Sequence, residues 1–564
     1  MKKNFFLFFF LSYLYAINYS VIYNSYKWKA LLHYDNKFNI KDKNFYISKT
    51  PTLKKEFFAT LNAFQQGKYQ CKFPARKLFL EKELNITFPT SKCPKLKTYL
   101  DKVPIDKIYL VFSSENIKDP SSMMGHTFFK FEGKRKDGFI ATHAISFYTM
   151  INTINPVKLI YENTIPGMNG YFVLRPYKEV LYNYLVNENR NVWEFKLKLN
   201  KFERKMIALH SWELKDIKQK YYFTSYNCAN VIYDIISTAK PIKKYQLWLT
   251  PLELIKITNQ EKLIQKANLY PSDEWFIKLL ENELTFKEIY QLKKNVLNQN
   301  IKAFELNNTK KSFYKITLAK VYINYLKNNN LLTLKQALYN KKFKYSIDLS
   351  KYKNPLKTPP ERQVTFSVVK ENENFLKLSF LPASHTLNDN NREYFNESEL
   401  KIGYISILFN KNKILLNNFS IYSMTNLIPY DILTNPFSYS FNISLDREYD
   451  KNLDKRLYFN CNAGLGYDIN IANDINLYIL GKIKIRTHNK IDLLYYPKFG
   501  ILMYEIFNSK LNFHYKPVFI RNSLLYNELS LTQTFYLRNN RKIFFKVQKI
   551  DNKTEIETGF VWLF

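Results

Sequence analysis

The stretch Ser121-Ser122-Met123-Met124-Gly125-His126-Thr127-Phe128-Phe129-Lys130-Phe131 puts a histidine directly after a glycine and at the start of a run of β-forming residues. Such a run predicts a strand with His126 at its mouth. About a hundred residues later the chain reads Tyr226-Asn227-Cys228-Ala229-Asn230-Val231-Ile232-Tyr233-Asp234-Ile235-Ile236. Val231, Ile232, Ile235 and Ile236 recur at helical spacing, so Cys228 is expected in the first turn of a helix. There the free N–H groups and the positive end of the helix dipole favour a thiolate and can hold an oxyanion. A cysteine at a helix start facing a strand histidine is a layout for thiol acyl transfer, with His126 as base and Cys228 as nucleophile. The Cys228 N–H and the Ser122, Tyr226 and Asn227 side chains are the candidate oxyanion holders and shapers of the site.

Working outward from the first strand, Lys134 to Gly138 is a charged turn, and Phe139 to Tyr148 a second strand carrying His143. A hairpin turning at Lys134 and Arg135 sets His143 across from His126, where it would orient the imidazole as the third member of a triad does. A slip of one residue turns it to the opposite face and leaves it a core or surface histidine. His210, in Leu209-His210-Ser211-Trp212-Glu213-Leu214, is a competing base that reads better as structural. Cys71 and Cys93 bracket a short segment and are expected to pair as a disulfide, in keeping with an oxidising compartment. Cys461 falls in an alternating strand as a small apolar filler. No spacing of Cys and His suggests zinc, and no cofactor is called for.

Met1-Lys2-Lys3-Asn4 followed by the apolar run Phe5 to Tyr15 reads as a signal peptide over residues 1–20. With 564 residues several domains are expected. After the signal come an N-terminal helical and disulfide subdomain (21–99), a thiol catalytic domain (100–245) and a helical region (246–350) expected to pack against it. The formal charge of +37 is spread along the whole chain as scattered lysines. It makes no single basic face, so a nucleic-acid partner is not expected, and attraction to anionic lipid headgroups is the alternative use of the charge.

Lys353-Asn354-Pro355-Leu356-Lys357-Thr358-Pro359-Pro360-Glu361 is a linker by composition (351–364), and beyond it helical periodicity gives way to period two. In Arg456 to Ile471 the residues Leu457, Phe459, Cys461, Ala463, Leu465, Tyr467, Ile469 and Ile471 share one side, while Asn460, Asn462, Asp468 and Asn470 share the other. Residues 365–564 have room for about twelve antiparallel strands. The last strand alternates Ile556, Thr558, Phe560, Trp562 and Phe564, which resembles the terminal signal of bacterial outer-membrane barrels. A soluble sandwich or lipocalin-like barrel is the competing reading.

The pieces Pro120 to Phe131, Gly170 to Tyr177, Asn191 to Phe195, His210 to Leu214 and Tyr221 to Ala229 together resemble the N-terminal periplasmic domain family of the bacterial lipoprotein N-acyltransferase Lnb. Its wider relatives are permuted NlpC-like, papain-type proteins, including lecithin:retinol acyltransferase-like enzymes. The resemblance implies an α+β papain/NlpC-like thiol domain in permuted order with helical additions, followed here by an all-β antiparallel barrel. It further implies a cysteine-dependent acyltransferase in the periplasm at the outer membrane, passing an acyl chain from a phospholipid to the amino terminus of a lipoprotein. Phospholipid, lipoprotein and outer-membrane lipids are thus the expected partners. Two other functions stay open: a cell-wall peptidase or amidase of NlpC-like type, and a non-enzymatic outer-membrane transport or assembly protein.

Overall fold

The computed structural model describes residues 19–114, 124–135, 137–150, 158, 161–163, 165–243, 248–300, 308–331, 343–349, 352–472, 474–538 and 540–564. The expected signal peptide lies almost wholly outside them, and Ser122 entirely so. The chain divides into two compact units, Met1–Tyr270 and Pro271–Phe564.

The first unit is built on an antiparallel sheet. A short hairpin, β1 (Tyr34–Asp35) and β2 (Lys37–Phe38), precedes it. The sheet itself comprises β3 (Lys107–Ser113), β4 (His126–Lys134), β5 (Ile140–Thr149), β6 (Met168–Pro176), β7 (Val192–Leu197), β8 (Gln219–Tyr221) and β9 (Ile264–Tyr270), in the spatial order β8-β6-β5-β4-β3-β7-β9. The strands at its centre are aromatic and aliphatic because both faces are covered. One face, through Tyr109, Val111, Phe128 and Ala144, packs on Tyr177, Val180, Leu181, Tyr184 and Leu185. The other receives the helix Cys228–Ala239, whose buried Val231, Ile232, Ile235 and Ile236 form the stripe expected from their spacing. Around this core lie the helices Leu53–Gln65, Pro74–Leu84, Pro94–Lys102 and Lys201–Leu214. Cys71 and Cys93 form the expected disulfide.

Two local devices fix the β3–β4–β5 geometry. Gly125 has φ +82, and a Cβ there would lie 2.5 Å from the Phe112 ring, so only glycine lets the chain enter β4 at this angle. Lys130 Nζ sits 3.0 Å from both carboxylate oxygens of Glu194 across β3, a buried ion pair flanked by the Tyr109 and Tyr177 rings. A buried charge is tolerated only when paired in this way.

The second unit is a barrel with helices added. Strands β10 (Gln363–Lys370), β11 (Asn374–Leu381) and β13 (Glu397–Phe409) to β22 (Lys553–Leu563) close a ring of twelve, β11 pairing with β13 and β10 with β22. A two-residue strand, β12 (Ser384–His385), lies beside β13. The intervening strands are β14 (Ile414–Leu427), β15 (Ser438–Tyr449), β16 (Lys455–Ala472), β17 (Ile475–Thr487), β18 (Ile491–Glu505), β19 (Ser509–Ile520), β20 (Ser523–Arg538) and β21 (Arg541–Ile550). Period two sorts their side chains: Leu465, Ile483 and Leu493 are 66%, 62% and 59% exposed outside, whereas Asn460, Asp468, Arg486, Lys510 and Glu557 are buried inside. This is the inverse of a soluble barrel, which hides its apolar side chains, and it suits an outer surface covered by lipid. No described helix is long and apolar enough to cross a membrane.

Between β11 and β13 the chain turns into the lumen. Asp389 meets Lys542 at 2.5 Å and Gln363 at 2.7 Å, the Asn391 N–H donates to Tyr504 Oη at 2.9 Å, and Asn512 donates to Asn388 at 2.8 Å. Of the helical region expected against the thiol domain, Pro251–Gln260 does pack there, on β3 and the Cys228 helix, whereas Asp273–Glu281, Phe286–Leu297 and Lys310–Asn328 share a core with Leu433 in the second unit. Lys278 pairs with Asp431 and donates to the Pro429 carbonyl at 2.7 Å, and Lys293 donates to the Ile432 carbonyl. Their apolar faces match the barrel loop 428–434, a long-range preference that periodicity alone does not encode.

Candidate active site

His126 is the first residue of β4 and Cys228 the first of its helix, where the sequence put them. Asn227 caps that helix: its Oδ1 accepts from the Ala229 and Asn230 N–H groups at 2.8 and 3.2 Å. Its amide donates to the carbonyls of Phe223 and Leu249 at 3.0 and 2.9 Å. Every hydrogen-bonding position of Asn227 is therefore engaged in building the turn, and it has none left for an oxyanion. The same holds for Tyr226, whose hydroxyl is 2.6 Å from His33 Nδ1. The expected oxyanion role of these two side chains is corrected to a scaffolding one.

The sulfur of Cys228 is 1% exposed and lies against β4 through Thr127, whose Oγ1 donates to it at 4.0 Å. The Thr127 N–H, the Tyr221 hydroxyl and the Ala229 N–H lie close enough to favour its thiolate form. Burial pushes the thiol pKa up, while these donors pull it back in part. The imidazole of His126, 8% exposed, is held by Ser146 Oγ at 2.7 Å from Nε2 and lies beside the Phe128 and Tyr184 rings. Burial and then the Arg190 guanidinium bring its pKa down to about 3, so the ring is neutral at physiological pH. Arg190 is itself fixed by the carbonyls of Ser113 and Ser114 at 3.1 and 2.6 Å.

Among the described residues no hydrogen bond joins the thiol to the imidazole. Alternation along β4 turns Thr127 to the Cys228 face of the sheet and His126 to the other. Tyr221 connects the two sides: its hydroxyl lies near enough to the sulfur to favour the thiolate, and it also lines, with His126, Ser146, Arg175, Lys178 and Tyr184, a cavity of about 670 Å³.

His143 does not orient His126. The hairpin is centred on Asp137 and not between Lys134 and Arg135, a register displacement of five residues, and it pairs Phe131 with His143. Phe131 is five residues from His126, an odd number, so His143 belongs to the opposite face. Ser146 occupies the place assigned to it. Ser146, Thr127, Tyr221 and Tyr184 were not singled out in the sequence; Tyr221 lay within the aromatic run before Cys228, and Ser146 needs only the hairpin register. His210 is buried against Glu213, as a structural residue should be.

Residues 95–261 match the family model of the Lnb N-terminal periplasmic domain. Two further models, each of a domain of unknown function, match residues 20–83 and 354–562. No curated protein matches the chain. Among solved structures, the KdgM porin in complex with disordered oligogalacturonate is 10% identical, covering 36% of this chain and 99% of its own, with a TM-score of 0.25. The NanC porin is 6% identical, covering 36% and 100% respectively, with a TM-score of 0.24. For the Acinetobacter baumannii outer membrane protein Omp33 the values are 8%, 37%, 100% and 0.22. A periplasmic-domain family in the N-terminal half and a closed barrel with an apolar exterior in the C-terminal half place the chain in the outer membrane with its N-terminal domain in the periplasm.

Proposed function

We propose that this protein is a cysteine-dependent acyltransferase of permuted papain-like type, which takes an acyl chain from a phospholipid and delivers it to the amino terminus of a lipoprotein. The observation that carries this reading is the Cys228 thiol at a capped helix start, ringed by the Thr127, Tyr221 and Ala229 donors, with a neutral buried imidazole at the start of the strand it packs on.

In this reading His126 swings from Ser146 toward the thiol as substrate fills the cavity and takes the sulfur proton. The thiolate attacks the ester carbonyl, whose oxygen gains the negative charge and is met by Tyr221 O–H and the Cys228 or Thr127 N–H groups. The tetrahedral adduct collapses to a thioester, and the lysophospholipid alkoxide leaves with the proton from the imidazolium. The acceptor amine then attacks the thioester carbonyl; an amide forms, and the amine proton returns through His126 to the thiolate. In its resting place the ring is held too weak a base for this step by burial and Arg190, so the swing toward the thiol, away from Arg190, has to restore basicity toward the ordinary imidazole range. Arg175 and Lys178 supply positive charge for a phosphate headgroup at the rim of the cavity, and Tyr148, Val173 and Val180 supply apolar wall.

The test is the full chain reconstituted in phospholipid vesicles with a diacyl lipopeptide. N-acylated peptide and lysophospholipid should appear in equal amounts, and neither should appear with Cys228→Ala or His126→Asn. Cleavage of murein peptide by the intact chain, with no acyl transfer, would replace this reading by the peptidase one.

A further inference from the structure

A second cavity, of about 960 Å³, lies in the first unit between the β1–β2 hairpin and the Cys228 helix, and the acyl-transfer reading makes no use of it. Lys29, Lys37, Lys41 and Lys220 line it, against Asp35 and Asp234. Lys220 is engaged with the Gly167 carbonyl and Asn169, while no ion pair involves Lys29, Lys37 or Lys41 among the described residues. The rim is thus net positive. Its floor includes Tyr226 and Asp234, and behind that floor begins a chain of buried polar groups.

Tyr226 Oη and Asp234 Oδ2 lie 2.6 and 3.0 Å from His33 Nδ1. His33 Nε2 lies 2.9 Å from His210 Nε2, and His210 Nδ1 lies 2.9 Å from Glu213 Oε2. The other carboxylate oxygen of Glu213 accepts the Ala75 and Arg76 N–H groups at 2.7 and 3.0 Å, and Arg76 Nη1 is 2.9 Å from Glu56. His33, His210, Arg76 and Glu56 are fully buried. The Phe45 ring closes the remaining side of His33, with centroids 5.9 Å apart. His33, Glu56 and Arg76 come from the 20–83 segment, and His210, Glu213, Tyr226 and Asp234 from the 95–261 domain.

The contact between two ring nitrogens limits the proton count. At 2.9 Å the two Nε2 atoms share one proton, since two would collide and none would set lone pair against lone pair. The pair therefore holds two protons when neutral and three when singly charged, never four. In a neutral form His33 Nε2–H donates to His210, His210 Nδ1–H donates to the Glu213 carboxylate, and His33 Nδ1 accepts from Tyr226. That form leaves the Asp234 carboxylate facing an unprotonated nitrogen. A third proton on His33 Nδ1 removes the conflict and puts a positive charge directly behind the cavity floor. Glu213, whose pKa burial raises to about 7, can take up the same proton at the far end of the chain when it passes through the shared position.

We propose that this cavity is a proton-coupled binding site for a phosphate- or sulfate-type oxyanion, held by Lys29, Lys37 and Lys41 and balanced by one proton taken onto the His33–His210 pair. An oxyanion entering a net positive rim raises the affinity of the pair for its third proton, and by linkage that proton raises the affinity for the oxyanion. A bare lysine patch would bind anions with no proton exchange. Coupling is therefore what separates this built site from the general basicity of the chain.

Calorimetric titration of the full chain in detergent, at pH 7 in two buffers of different ionisation enthalpy, reads both affinity and protons exchanged. Sulfate, which does not titrate near neutrality, is the soluble probe, and phosphatidylglycerol micelles, compared with phosphatidylcholine, present the same chemistry as a lipid headgroup. Binding of either probe with uptake of a substantial fraction of one proton is expected, and which probe binds tells a soluble anion from a headgroup. In Lys37→Gln/Lys41→Gln affinity should fall about tenfold with uptake per bound ligand retained. In His33→Gln uptake should vanish; should that variant fail to fold, Asp234→Asn, at the edge of the chain, should lower uptake at least twofold. Absence of binding by both probes, binding without proton uptake, or uptake unchanged in the folded His33 or Asp234 variant would each overturn the proposal.

Discussion

Acid should open β4 before it touches the barrel, and His126 sets by how much. Its imidazole titrates at about 3 in the fold against 6.5 when exposed, because the site is buried and Arg190 stands beside it. The unfolded or locally open state therefore binds the proton that the closed state refuses. Stability is complete above pH 6.5 and falls as pH drops toward 3, by about 1.4 kcal/mol for each pH unit in that window. Going from pH 6.5 to 4.5 costs the closed β4–β5 region about 2.7 kcal/mol, or roughly a hundredfold in its opening constant. Because the chain has two units, a single melting curve does not isolate this effect. Hydrogen exchange followed by mass spectrometry, corrected for intrinsic rates, reads the β4 and β5 amides separately. In His126→Asn, which has nothing to titrate there, the increase attributable to this ring should disappear while carboxylate titrations common to both proteins remain. Equal acid responses in the two proteins, or a rise in β4 opening below about threefold in the parent, would refute the burial argument.

Three further outcomes follow from single contacts. Ser146→Ala removes the partner of His126 Nε2, so that a buried nitrogen loses its hydrogen bond; thermal or chemical denaturation should show a loss of about 1–3 kcal/mol, and acyl transfer should slow while Cys228 keeps its reactivity to small alkylating agents. Gly170→Ala would place a Cβ 2.3 Å from the Phe147 ring on the neighbouring strand, and an overpacking cost of about 1–3 kcal/mol should appear as faster exchange in β5 and β6. Asp389→Asn breaks the buried pair with Lys542, a change of about 3–5 kcal/mol at such sites, so the loop between β11 and β13 should become protease-sensitive and ion current through planar bilayers should rise. An unchanged current would mean the lumen is blocked by other contacts.

Much of this organisation was legible in the sequence for reasons of period and position. Alternation from Leu457 to Ile471 specified both a strand and its two faces, and the length of residues 365–564 left room for about twelve such strands. The spacing of Val231, Ile232, Ile235 and Ile236 put Cys228 at a helix start. What could not be read was whatever depended on one residue of register or on distant partners. A hairpin centred on Asp137 and not between Lys134 and Arg135 displaces the register by five residues and exchanges His143 for Ser146, because a strand has only two faces and an odd displacement swaps them. Asn227 and Tyr226 looked like free polar groups beside a nucleophile; their partners, Leu249 and His33, lie far away in the chain. His33 sits at φ 48 in a turn with no periodic signal, so its meeting with His210 comes only from the fold.

The most direct test of the acyl-transfer account is to incubate the intact chain with phospholipid carrying a defined acyl chain, quench in acid and map adducts by peptide mass spectrometry. One thioester-linked acyl group is expected, on Cys228, lost on treatment with neutral hydroxylamine and discharged by a lipopeptide amine. A Cys228 peptide that stays unmodified while lipopeptide is acylated would contradict it.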